Sequence, residues 1–234
     1  MIGSGMTARD EWSLSEGEIH YLWWFIQGSI MDPDVRARLR RAWGFCGRHA
    51  WGALAVEAAF RPSFLHGPAL LYEDLMGRAL RAFRTAGPWE ARRVARRLRA
   101  MGPCLMCEMG LDRRSRGAAR EEVIEQGRNI EALRAFAEGR RPFWEKTVCG
   151  VCLGDASAPR CRPHLREDAM KGRVADPAEQ RALVEHILGH LTVYSQSFRW
   201  ECRGTDTEED QAALISAVGW CSGWRPWLPL LIGP

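Results

Sequence analysis

Cys104-Leu-Met-Cys107, Cys149-Gly-Val-Cys152 and Cys161-Arg-Pro-His164 are three ligand pairs of one form, each with two residues between its ends. That gap lets two soft side chains reach one ion from a single turn of backbone. It is the spacing of structural zinc sites built from cysteine alone or from cysteine and histidine. Glycine or proline accompanies every pair: Gly102-Pro103 before the first, Gly150 inside the second, Pro163 inside the third. Such residues hold tight turns that aim two side chains at one point. A fourth pair, Cys46-Gly-Arg-His49, lies upstream. For any one pair alone, a buried unliganded cysteine is an equally good reading. Recurrence within the one stretch Cys104–His164 favours metal.

Around these turns the chain reads as helical scaffold. Ser13 and Glu16 form a capping-box pattern that opens a helix running to about Met31. Asp32-Pro33 predicts a cap and first helical residue, with Val35, Leu39 and Trp43 following at helical spacing and Gly44 ending the helix. His49 to Phe60 is Ala-rich and helical, and Arg61-Pro62 breaks it. Further helices are expected over 69–86, between Gly67-Pro68 and Gly87-Pro88, and over 89–101, where Val94, Leu98 and Met101 form a narrow apolar stripe. The next runs over 117–139. The segment Cys149–Cys161, rich in turn residues, reads as a loop. Asp176-Pro177 starts the longest helix, to about Arg203, with a stripe of Leu183, Ile187, Leu188, Leu191, Tyr194 and Phe198. Asp206 then caps a helix from Thr207 to Val218. An aromatic tail follows, with Trp220, Trp224 and Trp227 either packed on the core or forming a partner patch. No segment alternates with period two. The class is all-α, a multi-helix bundle of about eight helices or more.

Composition agrees with a folded, water-facing chain. The 234 residues are 46% hydrophobic and 26% charged, enough for one domain or two small ones with a real core. The formal charge of +4 is mildly basic and does not by itself imply nucleic acid. The first residues carry no apolar signal segment and no run is long enough to span a bilayer, so a cytoplasmic, membrane-free protein is expected. Reduced thiols there favour metal or redox chemistry over disulfides. Several of the eleven tryptophans are expected to be core anchors.

The chain resembles a prokaryotic family of cytoplasmic helical proteins without an established activity, built from repeats of a CPxC-type pair, a helix and a closing element. Gly44-Phe-Cys-Gly-Arg-His-Ala-Trp51 is similar to its GFCxRHAW element and Leu70-Leu-Tyr-Glu-Asp-Leu75 to the segment after it. Gly102-Pro-Cys-Leu-Met-Cys107 is similar to the second unit's pair, Cys161-Arg-Pro-His-Leu165 to its LCxPHL closure, and Glu208-Glu-Asp210 to the family's ending. Two departures stand out: no cysteine precedes Cys46, and Cys149-Gly-Val-Cys152 is an additional pair. The resemblance implies two related helical units, 1–101 and 102–234, within what can be one continuous domain.

Unit logic then groups Cys104, Cys107, Cys161 and His164 at one ion, leaving Cys46, His49, Cys149 and Cys152 for a second. A local arrangement instead joins Cys149, Cys152, Cys161 and His164, and leaves Cys104 and Cys107 with Cys46 and His49. Spacing does not separate the two. Zinc suits three thiolates and an imidazole; an iron–sulfur cluster is the alternative. Cys202 and Cys221 stand alone and read as small buried hydrophobes. His186 and His190, at i and i+4, have a chelating spacing but read more simply as helix-surface residues.

Three functional readings follow. The first is a zinc-stabilised helical module that binds a protein partner or a second copy of itself. The second is a thiol or iron–sulfur redox protein. The third is a nucleic-acid binder using the arginines of 36–41 and 92–99, although a solvated helix face is the simpler account of 92–99. No phosphate loop, no Gly-x-Ser-x-Gly element and no distinctive carboxylate pair points to an enzyme.

Overall fold

The computed structural model describes residues 12–84, 90–155, 159–173 and 177–231. Among them there is no strand, and helices form the whole architecture. They are α1 (Glu16–Ile26), α2 (Pro33–Ala42), α3 (Gly47–Phe60), α4 (His66–Ala82), α5 (Glu90–Arg97), α6 (Leu105–Glu108), α7 (Glu121–Arg128), α8 (Glu131–Glu138), α9 (Arg141–Trp144), α10 (Gly150–Leu153), α11 (Arg162–Met170), α12 (Pro177–Gln196), α13 (Glu208–Ser222) and α14 (Leu228–Leu231).

α13 is the axis of the bundle. Its run Ala212–Cys221 is apolar or small on every side, and a helix apolar all round is a buried one. Every residue of that run is buried, with α12, α4, α9, α11 and α3 packed around it. α3 is similarly enclosed, its residues His49 to Ala58 all buried. Between these two helices the tryptophans assemble. Trp51 stacks on Trp227 at 5.3 Å, Trp144 stacks on Trp224 at 5.7 Å, and Trp12 meets Trp227 edge-on at 5.6 Å. The indole N–H of Trp51 donates to the Gly223 carbonyl at 2.9 Å, locking the end of α13 onto α3. Trp220, Trp224 and Trp227 are fully buried, so the aromatic tail is core and not a partner patch.

Several boundaries differ from those predicted, each for a local reason. α1 opens at Ser15, not Ser13: the sequence holds two overlapping S-x-x-E patterns, and Ser15 with Glu18 satisfies both backbone donors. The helix expected over 117–139 is broken at Asn129, which is extended and whose side chain accepts the Glu131 N–H at 2.9 Å. α12 stops at Gln196, before the 3-10 turn Trp200–Cys202. Thr207, not Asp206, caps α13, exchanging hydrogen bonds with Asp210. The segment read as a loop after Cys149 contains one helical turn, closed by Gly154 in the left-handed region. Met101 is exposed and leaves the α5 stripe, whereas Val94 and Leu98 are buried. The expected features at Gly87-Pro88 and Asp176 fall outside the described residues.

The arginine faces divide. Arg40 makes a bidentate pair with Asp74 at 2.5 and 2.6 Å, Arg36 lies 3.8 Å from the same carboxylate, and Arg38 pairs with Glu108 at 2.6 Å. Arg36, Arg38 and Arg40 therefore tie α2 to α4 and α6. Those of 92–99 are exposed, as a solvated face requires. No helix among the described residues is long and apolar enough to cross a membrane.

Among the described residues, the buried carboxyl of Glu57 has no ion pair within 4 Å, and the charge of Arg61 acts on it only from further off. Glu57, on α3, is 1% exposed and accepts only a long hydrogen bond from the Gly67 N–H at 3.4 Å. Burial pushes its pKa up from the ordinary 4.5 to about 8. The folded state thus holds this proton over a pH window in which the unfolded chain has lost it, so stability falls as pH rises from the ordinary carboxylate value to about 8. Glu57→Gln removes that dependence. Thermal melts should show the variant more stable than wild type by about 2 kcal/mol at about pH 9, with the difference vanishing at about pH 5.

Candidate metal centres

Each of the four ligand pairs is built in the same way. Cys46, Cys104, Cys149 and Cys161 are the N-cap residues of α3, α6, α10 and α11, all with extended backbone. The second ligand, three residues on, is therefore the third helical residue. N-cap and third-residue side chains face each other across a helix start, as in a capping box. A C-x-x-C or C-x-x-H run at a helix start is consequently a preformed two-tooth clamp. Pro163 fits within the first turn of α11, where its missing N–H costs no hydrogen bond. Gly47 is needed because the chain end packs on it: an added Cβ would lie 3.0 Å from Pro226 Cγ and 3.1 Å from the Ser222 carbonyl oxygen.

The clamps meet two by two. Cys46, His49, Cys104 and Cys107 converge at one point, and Cys149, Cys152, Cys161 and His164 at another. The grouping of Cys104 and Cys107 with Cys161 and His164 is thus not the one formed. Local contacts explain why. The α6 turn is moored beside Cys46 by the Arg38–Glu108 ion pair and by the Met101 N–H on the Arg41 carbonyl at 2.7 Å. The 149–161 segment folds back on itself through the Gly150 N–H on the Pro159 carbonyl at 3.0 Å.

The distances suit a single ion. A tetrahedral zinc with bonds of about 2.3 Å to sulfur and about 2.05 Å to nitrogen has S–S edges of about 3.8 Å and S–N edges of about 3.6 Å. In the first cluster Nδ1 of His49 lies 3.4, 3.4 and 3.5 Å from the sulfurs of Cys46, Cys104 and Cys107, and Cys46 lies 3.8 Å from Cys107. In the second, Nδ1 of His164 lies 3.3, 3.5 and 3.2 Å from Cys149, Cys152 and Cys161, and Cys152 lies 4.0 Å from Cys161. Both sets can hold a metal ion.

Thiols this close cannot all ionise on their own. The hydrogen bond from Cys46 lowers Cys104 to about 3 despite burial, and the same bond raises Cys46. In the second cluster Cys152 and Cys161 hold Cys149 ionised, while Cys161 is driven up by those neighbours and by burial. A dication bound among them favours the thiolate form and displaces their protons.

The first cluster has an outer support that sequence reasoning missed. Glu18, fully buried, accepts from Nε2 of His49 at 3.0 Å and from Arg48 at 2.7 and 2.8 Å. Burial alone would raise Glu18, but the hydrogen bonds from His49, Arg48 and the Ser15 N–H outweigh it and hold the pKa at about 2. A carboxylate on the far nitrogen fixes the ring so that Nδ1 faces the sulfurs. The available signal was the second S-x-x-E pattern, whose glutamate both caps α1 and reaches His49. The hydrogen bonds found for His164 are all at Nδ1. Glu18→Gln is therefore expected to weaken metal binding at the first cluster by about 10–100-fold and to leave the second unchanged, read by competition with a chromophoric chelator.

Arg162, between the ligands of the second cluster, donates from Nε to the Cys221 carbonyl at 2.9 Å and from Nη1 to the Leu98 carbonyl at 3.0 Å. It binds that cluster to the ends of α13 and α5. Cys221 is buried, with its thiol 3.8 Å from Met76 Sδ, whereas Cys202 is only half-buried. Neither belongs to a cluster.

Comparison with protein-family models, with curated proteins and with solved structures finds no match.

Proposed function

We propose that the chain is a zinc-stabilised helical module whose two ions are structural. The observation that carries this is the pair of clusters whose donor-to-donor distances follow the edges of a single-ion tetrahedron. Three thiolates and one imidazole fill such an ion's coordination and leave no position for a substrate. The same distances argue against an iron–sulfur cluster, in which thiolates bind different irons and stand further apart.

The binding role rests on what the first ion would hold in place. The α6 turn holds Cys104 and Cys107 at the first cluster, and presents Leu105 and Met109 to a cleft of about 460 Å3 that Tyr21, Trp24, Val35 and Leu111 also line. Trp24 and Met109 are exposed there. Metal at the first cluster fixes one wall of this cleft, which suits a module that presents it to a protein partner. The nucleic-acid reading loses support, because Arg36 and Arg40 pair with Asp74 and Arg38 with Glu108.

Elemental analysis and an absorption spectrum of protein purified without oxygen test the metal. Two zinc ions per chain and no visible absorption are expected. Cobalt exchanged into both sites should give intense thiolate-to-metal bands and tetrahedral visible bands. Iron with acid-labile sulfide, or fewer than one metal per chain after reconstitution, would refute the proposal.

A further inference from the structure

A third donor cluster lies away from the cysteines, between α12 and the start of α13. His186 and His190 stand one turn apart on α12, their rings 4.7 Å apart and edge-to-face. Nε2 of each lies 3.8 Å from the same oxygen, Oε1 of Glu209. The three donor atoms lie within 4.8 Å of one another. A tetrahedral ion bound at about 2.1 Å needs edges of about 3.4 Å, so small side-chain rotations close the set.

Proximity of surface histidines to an acid is common, and the third position alone would carry little. The orientation of His190 carries more. Its Nδ1 lies 2.7 Å from Oδ1 of Asp210, a carboxylate that is 8% exposed. Asp210 is itself fixed, since its Oδ2 accepts the Thr207 N–H and hydroxyl, both at 2.8 Å, in the cap of α13. With Nδ1–H donating to that carboxylate, the neutral imidazole of His190 carries its lone pair at Nε2. Nε2 of His190 is the atom that lies 3.8 Å from Oε1 of Glu209, in the group whose three donors all lie within 4.8 Å of one another. Two imidazole nitrogens and a carboxylate oxygen gathered this closely are a donor set that a cation can bridge. A buried, capped carboxylate behind a histidine is also the usual outer support of a metal-bound imidazole.

We infer that His186, His190 and Glu209 form a third site, for a divalent transition ion such as zinc, cobalt or nickel. Asp210 is its positioning residue. Two imidazoles and one carboxylate suit borderline ions over calcium or magnesium. The site differs in kind from the thiolate clusters. Its side chains are 53%, 31% and 40% exposed, and three protein donors leave further positions to water or an exchangeable anion. Binding is weaker and reversible, and the ion's water is accessible to solutes.

Calorimetric titration of Zn2+ into the protein as purified, with its cysteine sites loaded, tests this. One further equivalent per chain is expected. With Co2+ the added equivalent should show weak visible bands and no new thiolate charge-transfer band. His186→Ala, at an exposed position, and Glu209→Gln should each weaken the event at least 10-fold, while the melting temperature in chelator stays at wild type. Asp210→Asn should weaken it by about 10–100-fold through loss of ring positioning. The inference fails if no further equivalent binds, if the added cobalt shows thiolate bands, or if His186→Ala and Glu209→Gln titrate as wild type does. A third equivalent confined to a protonated-histidine effect would appear as heat without cobalt absorption, and that also overturns it.

Discussion

Cys161→Ser should release one of two metal equivalents and bring the melting transition down further than any single core truncation. Serine stays protonated at neutral pH and is a hard, poor zinc ligand, so three donors remain at a site that needs four. Structural zinc in small sites contributes on the order of 10 kcal/mol of folding free energy, against a total stability of about 5–15 kcal/mol for an ordinary domain. The damage extends beyond the ion. Cys161 caps α11, and the neighbouring Arg162 joins that helix to the Cys221 and Leu98 carbonyls. Elemental analysis and calorimetry of the variant check both effects. Cys202→Ser, which touches neither cluster, should keep full metal and the wild-type transition. Wild-type metal and melting in Cys161→Ser would remove this cysteine from the ligand set.

Gly219→Ala should destabilise the protein by about 3 kcal/mol, the upper range for overpacking a core by one methyl. Alanine in a helix interior ordinarily gains about 1 kcal/mol over glycine, so the sign is a clear test. An added Cβ at Gly219 would lie 2.1 Å from Cε2 and 2.4 Å from Cζ2 of Trp224. The indole has nowhere to retreat, being fully buried, stacked on Trp144 and inclined on Trp51 at 5.8 Å. Trp224→Leu opens room for the methyl but leaves a cavity when made alone. Denaturant melts of both variants and of the double variant should therefore show a double variant less destabilised than the sum of the two. Additive losses would mean the glycine and the indole are not in contact.

The all-α class was legible because apolar positions repeat at helical spacing and because Asp32-Pro33 is an unambiguous start, realised as the cap of α2. All eight members of the two donor clusters were also legible, since each pair's spacing is fixed by one helical turn. Which clamps meet was not. Spacing decides which two side chains share a turn, while the choice between Cys46 and Cys161 as neighbour of Cys104 rests on contacts such as Arg38–Glu108. These join residues far apart in sequence and leave no periodic trace. Glu18 was hidden for a related reason: its capping role is local, but its hydrogen bond to His49 is tertiary. The break at Asn129 escaped notice because the apolar pattern continues through it, and only the side-chain cap on Glu131 interrupts the helix.

The two clusters differ in how much chain lies between their clamps, and this sets an order of assembly. In the second, Cys152 and Cys161 are 9 residues apart; in the first, His49 and Cys104 are 55 apart. Loop closure alone disfavours the longer by about 1.6 kcal/mol, and the shorter needs no other helix in place before its four donors can meet. If the clusters bind zinc as proposed, an unfolded chain given scarce metal is expected to load the second cluster first, forming a small metal-bound knot around which α11 and the end of α13 gather. The first ion enters last, after α3, α4 and α5 have brought its clamps together, and so reports completed folding.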